Sequence, residues 1–146
     1  MARIKQKVEI NVPVEKVFKF VVSEWEKEMS FFEGIYDWKP ENDGRMGNGF
    51  HITYKAKILG VETEIEMEVK DFEENKGWVA NSTAGPRTVG EWHFAPMKSG
   101  TEFTYILDYQ MPMSIVGMIL DALTVKKTWM GFIDKSLQNL KTTLES

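Results

Sequence analysis

Hydrophobic and polar positions alternate over most of the chain, then give way near the carboxyl end to a helical period. Ala2 to Asn11 alternates, with Ile4, Val8 and Ile10 on one side, which predicts a first strand. Pro13 stands where a helix tolerates its first residue, because the missing N–H would be unpaired there anyway. Val14, Val17, Phe18, Val21, Trp25 and Met29 follow at helical spacing, with a break expected near Ser23 that divides the segment into two short helices. Phe31, Phe32 and Gly34 close it, and Ile35 to Lys39 reads as a short strand ending at Pro40.

After a loop rich in glycine and asparagine at 42–48, Phe50 to Ile58 and Val61 to Asp71 form two strands joined by Leu59-Gly60. Folding about that turn sets Lys57 opposite Glu62, Lys55 opposite Glu64 and His51 opposite Glu68. The other face pairs Ile58 with Val61, Ala56 with Thr63, Tyr54 with Ile65 and Ile52 with Met67. Both faces agree, so the register is set by side-chain chemistry. Trp78 to Ala84 is a further strand, and Gly85-Pro86 breaks it. Thr88 to Pro96 and Thr101 to Met111 make a last hairpin, with Phe103, Tyr105, Leu107 and Tyr109 on one side, and Trp92 and Phe94 assigned to the same inner side.

From Ser114 to Glu145 the period is helical, through Met118, Ala122, Val125, Trp129, Ile133, Leu137, Leu140 and Leu144. At about 1.5 Å per residue such a helix is roughly 48 Å long, against a diameter near 38 Å for a compact domain of this size. It is expected to cross the whole molecule. Gly117 and Gly131 lie inside it, each at a cost of about 1 kcal/mol relative to alanine. Close packing is the reading for Gly131; for Gly117 a flexible lid is an equal alternative.

No stretch between Ile35 and Met111 has a helical pattern long enough for a parallel crossover, so the sheet is expected to be antiparallel. The reading is an α+β fold of about seven strands, two short helices after the first strand and one long terminal helix. Seven strands span roughly 34 Å at about 4.8 Å spacing, whereas one helix covers about 10 to 12 Å. The sheet must curl around the helix, and a space between them is expected. Gly47, Gly49, Gly60, Gly77, Gly90 and Gly100 are assigned to ends and bends where curvature is easiest.

The 146 residues make one domain spanning 1–146, and 42% hydrophobic content supplies a core. There is no cysteine, which excludes disulfides, thiolate metal sites and a cysteine nucleophile. The net charge of −4 comes from interspersed acids and bases, against the basic face that nucleic-acid binding needs. The amino-terminal residues lack a signal-peptide core, and the longest apolar run, Ile115 to Leu120, is too short to span a bilayer. A cytoplasmic protein, monomer or homodimer, with no integral membrane segment is the expectation.

Several short segments carry a family likeness. Val12-Pro13-Val14-Glu15-Lys16-Val17-Phe18 is similar to the opening of the START-related, birch-pollen-allergen-like superfamily (SRPBCC), the helix-grip proteins that include polyketide cyclases and coenzyme-Q-binding proteins. Gly47-Asn48-Gly49-Phe50 resembles the glycine that begins its third strand, and Ser136-Leu137-Gln138-Asn139-Leu140-Lys141 the end of its last helix. The resemblance covers essentially the whole chain and implies a curved sheet gripping the terminal helix. It also implies an apolar cavity entered near that helix's amino-terminal half. Members of the superfamily bind lipids, sterols, quinones or hormones, some cyclise or dehydrate polyketides, and some bind protein partners, including relatives of the chaperone-ATPase activator.

Catalysis would need an acid or base aimed into the cavity with a partner to orient it. His51 and His93 fall on outer positions by alternation, as do Glu91 and Asp108. Gly44 to Gly49 lacks the lysine and hydroxyl of a P-loop and precedes a strand, so it is not a phosphate loop. No inner cluster has metal-ligand spacing. The inward polar groups are Tyr54, Tyr105, Tyr109 and Thr63, suited to orienting a ligand. The reading is therefore a carrier of a small hydrophobic ligand (lipid, quinone or polyketide-like), with no cofactor, metal or catalytic residue assigned. Tyr54, Ile65, Met67, Trp92, Tyr105, Leu107, Met118 and Ala122 are its expected lining. The alternatives are a cyclase or dehydratase using a pocket tyrosine, and a protein-interaction module on the sheet face carrying Glu64 and Glu66.

Overall fold

A computed structural model describes residues 1–40, 44–111 and 122–146. In chain order the elements are β1 (Ala2–Ile10), α1 (Val14–Glu26), β2 (Ile35–Pro40), β3 (His51–Ile58), β4 (Val61–Glu73), β5 (Gly77–Ala84), β6 (Thr88–Met97), β7 (Gly100–Tyr109) and α2 (Ala122–Glu145). The strands form one sheet in the order β1-β7-β6-β5-β4-β3-β2, and each neighbouring pair is antiparallel. This is the α+β helix-grip arrangement, a curled sheet around a terminal helix.

The β3–β4 register matches the pairing of charges and apolar residues at every position from His51↔Glu68 to Ile58↔Val61. Lys55 departs from the straight pairing. Its ammonium lies 3.7 Å from Glu62 and 3.4 Å from Asp37, diagonal reaches that a long side chain makes readily. The last hairpin also folds as expected, with Trp92 opposite Tyr105 and Phe94 opposite Phe103, but its strands run on to a Met97↔Gly100 pair.

The helices differ from expectation in two respects. One helix, α1, runs unbroken through Ser23, because Val17, Val21 and Trp25 keep one stripe buried across the expected break. The terminal helix is described from Ala122 onward, so the expected start at Ser114 and the lid at Gly117 lie outside the described residues. Gly131 is exposed and a methyl group there would meet nothing within 4 Å, so close packing is not its reason. The glycine that does meet this helix is Gly34, at φ +83°, where a Cβ would sit 2.3 Å from the Phe132 ring.

α2 packs chiefly along β1 and touches β3. Polar bonds fix its position along that edge. The fully buried Ser136 hydroxyl accepts from the Glu33 N–H at 2.7 Å and donates to the Phe132 carbonyl at 2.6 Å. Lys141 donates to the Glu9 carbonyl, and the Glu145 carboxylate accepts from both Lys141 and the Asn11 N–H. The Asn11 N–H and the Lys141 ammonium hold the Glu145 carboxyl below its ordinary pKa.

Between sheet and helices lies an aromatic core. Trp78 stacks on Trp92 at 5.7 Å, and Trp25 meets both edge-on at 5.6 and 5.4 Å. Phe18 of α1 closes the far end against Trp78 and Phe94, and Phe94 against Phe103 at 4.9 Å.

Candidate functional site

The inner face of the sheet is not filled along its whole length. Alternation turns Tyr54 (β3), Ile65 and Met67 (β4), Trp92 (β6), and Tyr105 and Leu107 (β7) inward, and these six line one cavity with Trp25, Phe32, Trp38 and Trp129 facing them. The cavity has a volume of about 50 Å³. That is room for a few waters, and less than the roughly 150 Å³ of a site that admits benzene, so a ring compound enters only as lining side chains move. Trp129, in the first half of α2, closes it on the helix side.

Its mouth follows from a defect in strand pairing. The β4–β5 ladder begins only at Glu66↔Ala84 and shifts register before Met67↔Ser82, which leaves Val61 to Ile65 without a β5 partner. The turn after β5 tucks into that gap. At Gly85 (φ +90°) a Cβ would lie 2.5 Å from the Glu64 carbonyl, which explains why glycine stands there. Thr63, Pro86 and Gln110 line both the cavity and an outer groove of about 800 Å³ that continues past Ser82 and Arg87.

No Asp, Glu, His, Lys or Arg lines the cavity among the described residues. His51 lies on the outer face, 2.8 Å from Glu68 and 3.8 Å from Glu66, and the exposed His93 lies 3.0 Å from Glu91. No group of His, Asp and Glu placed to hold a metal occurs among the described residues.

The polar groups inside are three tyrosine hydroxyls, indole N–H donors, and the side chains of Thr63, Thr88 and Gln110. The Tyr109 hydroxyl and the Trp25 indole N–H are buried with no hydrogen-bond partner among the described residues. Tyr54, Tyr105 and Trp92 make ring contacts, Trp38 on Tyr54 at 5.6 Å and Trp92 on Tyr105 at 4.9 Å, but no side-chain hydrogen bond among the described residues. Burial raises the pKa of all three tyrosines, and Tyr54 adds to the effect on Tyr105. All three hydroxyls therefore keep their protons at neutral pH and are available to donate to a guest.

Two further residues were expected in the lining. Met118 lies outside the described residues. Ala122 is exposed and does not line the cavity, although it falls on the stripe of Val125 and Trp129. Conversely, sequence reasoning passed over Trp25, Trp38, Trp129 and Gly90. Trp25 and Trp129 sit on helices whose inward stripe only the tertiary placement decides, and Trp38 sits on β2 inside the register shift between Tyr36 and Lys39, which breaks simple alternation. Gly90 carried a signal, since glycine inside a strand marks an absent side chain, and it lies within β6 instead of at a bend.

A family described as polyketide cyclase / dehydrase and lipid transport matches residues 1–145. No curated protein matches the chain. Among solved structures, TTHA0849 from Thermus thermophilus is similar with a TM-score of 0.79 at 20% identity, over 98% of this chain and 97% of that one. A START superfamily protein from Mycobacterium smegmatis gives 0.67 at 16% identity, over 98% and 97%. The di-domain aromatase/cyclase StfQ of the steffimycin biosynthetic pathway gives 0.71 at 12%, over 98% of this chain and 50% of that one. At these identities the structures establish a shared fold.

Proposed function

From the premise that this chain belongs to the polyketide cyclase / dehydrase and lipid transport family, we propose that it binds or carries a small hydrophobic ligand in the cavity between sheet and helix. The observation that carries this reading is the lining itself: apolar and aromatic walls, a few donors, and no ionisable group other than tyrosine among the described residues. Tyr54, Ile65, Met67, Trp92, Tyr105 and Leu107 are its proposed contacts. No described helix is long and apolar enough to cross a membrane.

Four tryptophans line the cavity, so intrinsic fluorescence is a direct reporter. Titration with lipids, quinones and polyketide-like aromatics is expected to give a saturable change with the ring compounds. The absence of saturation with every apolar class would overturn the proposal.

A cyclase or dehydratase is the second reading, favoured by the unpartnered Tyr54 and Tyr105 hydroxyls lining the cavity. Against it stands their raised pKa, which makes each a poor proton acceptor near neutral pH and a reluctant acid. Turnover of a polyketide-like ketone that disappears in Tyr54→Phe or Tyr105→Phe while binding survives would establish it over simple carriage.

A further inference from the structure

One spot in the cavity is built differently from the rest. Gly90 lies inside β6, buried, with Ala80 opposite on β5 and Leu107 opposite on β7. Its backbone does not need glycine for conformation, since its φ is outside the left-handed region, and a strand interior normally disfavours it. A Cβ built there would meet the Tyr105 Oη at 3.5 Å and the Trp92 Nε1 at 3.6 Å. Both side chains thus bring their polar ends to the space above one residue that has no side chain.

Those two ends come from a single cross-strand pair. Trp92 is opposite Tyr105, and Gly90 is two residues from Trp92 on the same face. Trp92 is 4% exposed and Tyr105 7%, and neither side chain makes a hydrogen bond among the described residues. Two donors that face the cavity space beside one glycine, neither with a side-chain acceptor among the described residues, are satisfied by a guest atom in that space that accepts from both.

We propose that the gap above Gly90 is a subsite for one uncharged acceptor oxygen, a ring ketone or quinone carbonyl, held by the Tyr105 hydroxyl and the Trp92 N–H. The site takes a neutral oxygen because no cation lines the cavity among the described residues, and a carboxylate buried there would lack a counter-charge. Glycine is the residue at 90 because the oxygen occupies the space a side chain would fill. This subsite rests on the reading of the cavity as a ligand site and selects within it, favouring carbonyl-bearing rings over hydrocarbons and acyl chains.

The test compares 1-tetralone with tetralin, the same bicyclic skeleton with and without the carbonyl, by NMR titration of the whole chain. Wild-type protein is expected to bind the ketone at least as tightly as the hydrocarbon, although the ketone loses more hydration. Tyr105→Phe removes one donor and is expected to weaken the ketone about 3- to 10-fold with tetralin unchanged. Gly90→Ala puts a methyl group in ordinary contact distance of both donors, so it folds, and the ketone is expected to weaken relative to tetralin. If both probes bind but ketone and hydrocarbon shift together in these variants, the subsite is wrong and the ligand cavity stands. If neither probe nor any other apolar ring compound binds wild-type protein, the subsite falls together with the cavity reading.

Discussion

The inner face of the sheet has two ends made from the same strands and much the same residue types, yet they behave differently. Under α1, Phe18, Trp78, Phe94 and Phe103 interlock at 4.9 to 5.6 Å, and none of them lines the cavity. Toward the β5–β6 turn, Tyr54, Trp92, Tyr105 and Tyr109 surround a cavity. At the closed end phenylalanine fills space without asking for a partner, and the Trp78 N–H is the one unpartnered buried polar atom among these rings. The open end instead carries hydroxyls and a glycine. The two ends thus differ in polarity and in one missing side chain: the cavity is lined by three tyrosine hydroxyls and Gly90, the closed end by rings with a single N–H.

The largest effect is expected at the closed end. Phe103→Ala removes a fully buried ring and is expected to cost about 3 to 5 kcal/mol, read by urea unfolding. A loss of under about 1 kcal/mol would mean that this end too has slack.

Alkaline pH sharpens the contrast next. Tyr54, Tyr105 and Tyr109 have raised pKa values in the fold, whereas an unfolded tyrosine titrates near about 10. Their contribution is therefore complete below about pH 10 and is lost as pH climbs toward the folded values. Tyrosinate absorbance at 295 nm is expected to rise together with unfolding, and the midpoint to move upward in a Tyr54→Phe/Tyr105→Phe double variant. Ionisation of all four tyrosines near pH 10 in a still-folded protein would contradict the burial argument.

Smaller effects of opposite sign are expected at the open end. Gly90→Ala should stabilise by about 0.5 to 1 kcal/mol, because it restricts the unfolded chain and the new methyl group meets ordinary contacts. Tyr105→Phe should change stability by less than about 1 kcal/mol, since it deletes a hydroxyl with no protein partner. A cost of about 2 kcal/mol or more in calorimetric unfolding would mean that this hydroxyl has an acceptor in the fold.

Most of the fold was legible in the chain. The β3–β4 register was readable because charges on one face and apolar residues on the other impose the same pairing, and a slip of one residue breaks both. The continuity of α1 was not, because Ser23 is a weak breaker and buried Val21 and Trp25 override it. Of the expected lining, the six residues on strands line the cavity and exposed Ala122 does not, for strand alternation shows inward direction whereas helical periodicity does not show how far the cover extends.

By itself, then, the order of residues determined the strands, their antiparallel pairing, the helical character of the carboxyl end and the side that each strand side chain faces. These follow from local periodicity and from the complementarity of neighbours in the chain. Only the tertiary structure decided where the interior is closed and where it is open. That depends on residues far apart in sequence, Trp25 against Trp92 and Tyr105 over Gly90, whose packing is set by how a curved sheet meets two helices.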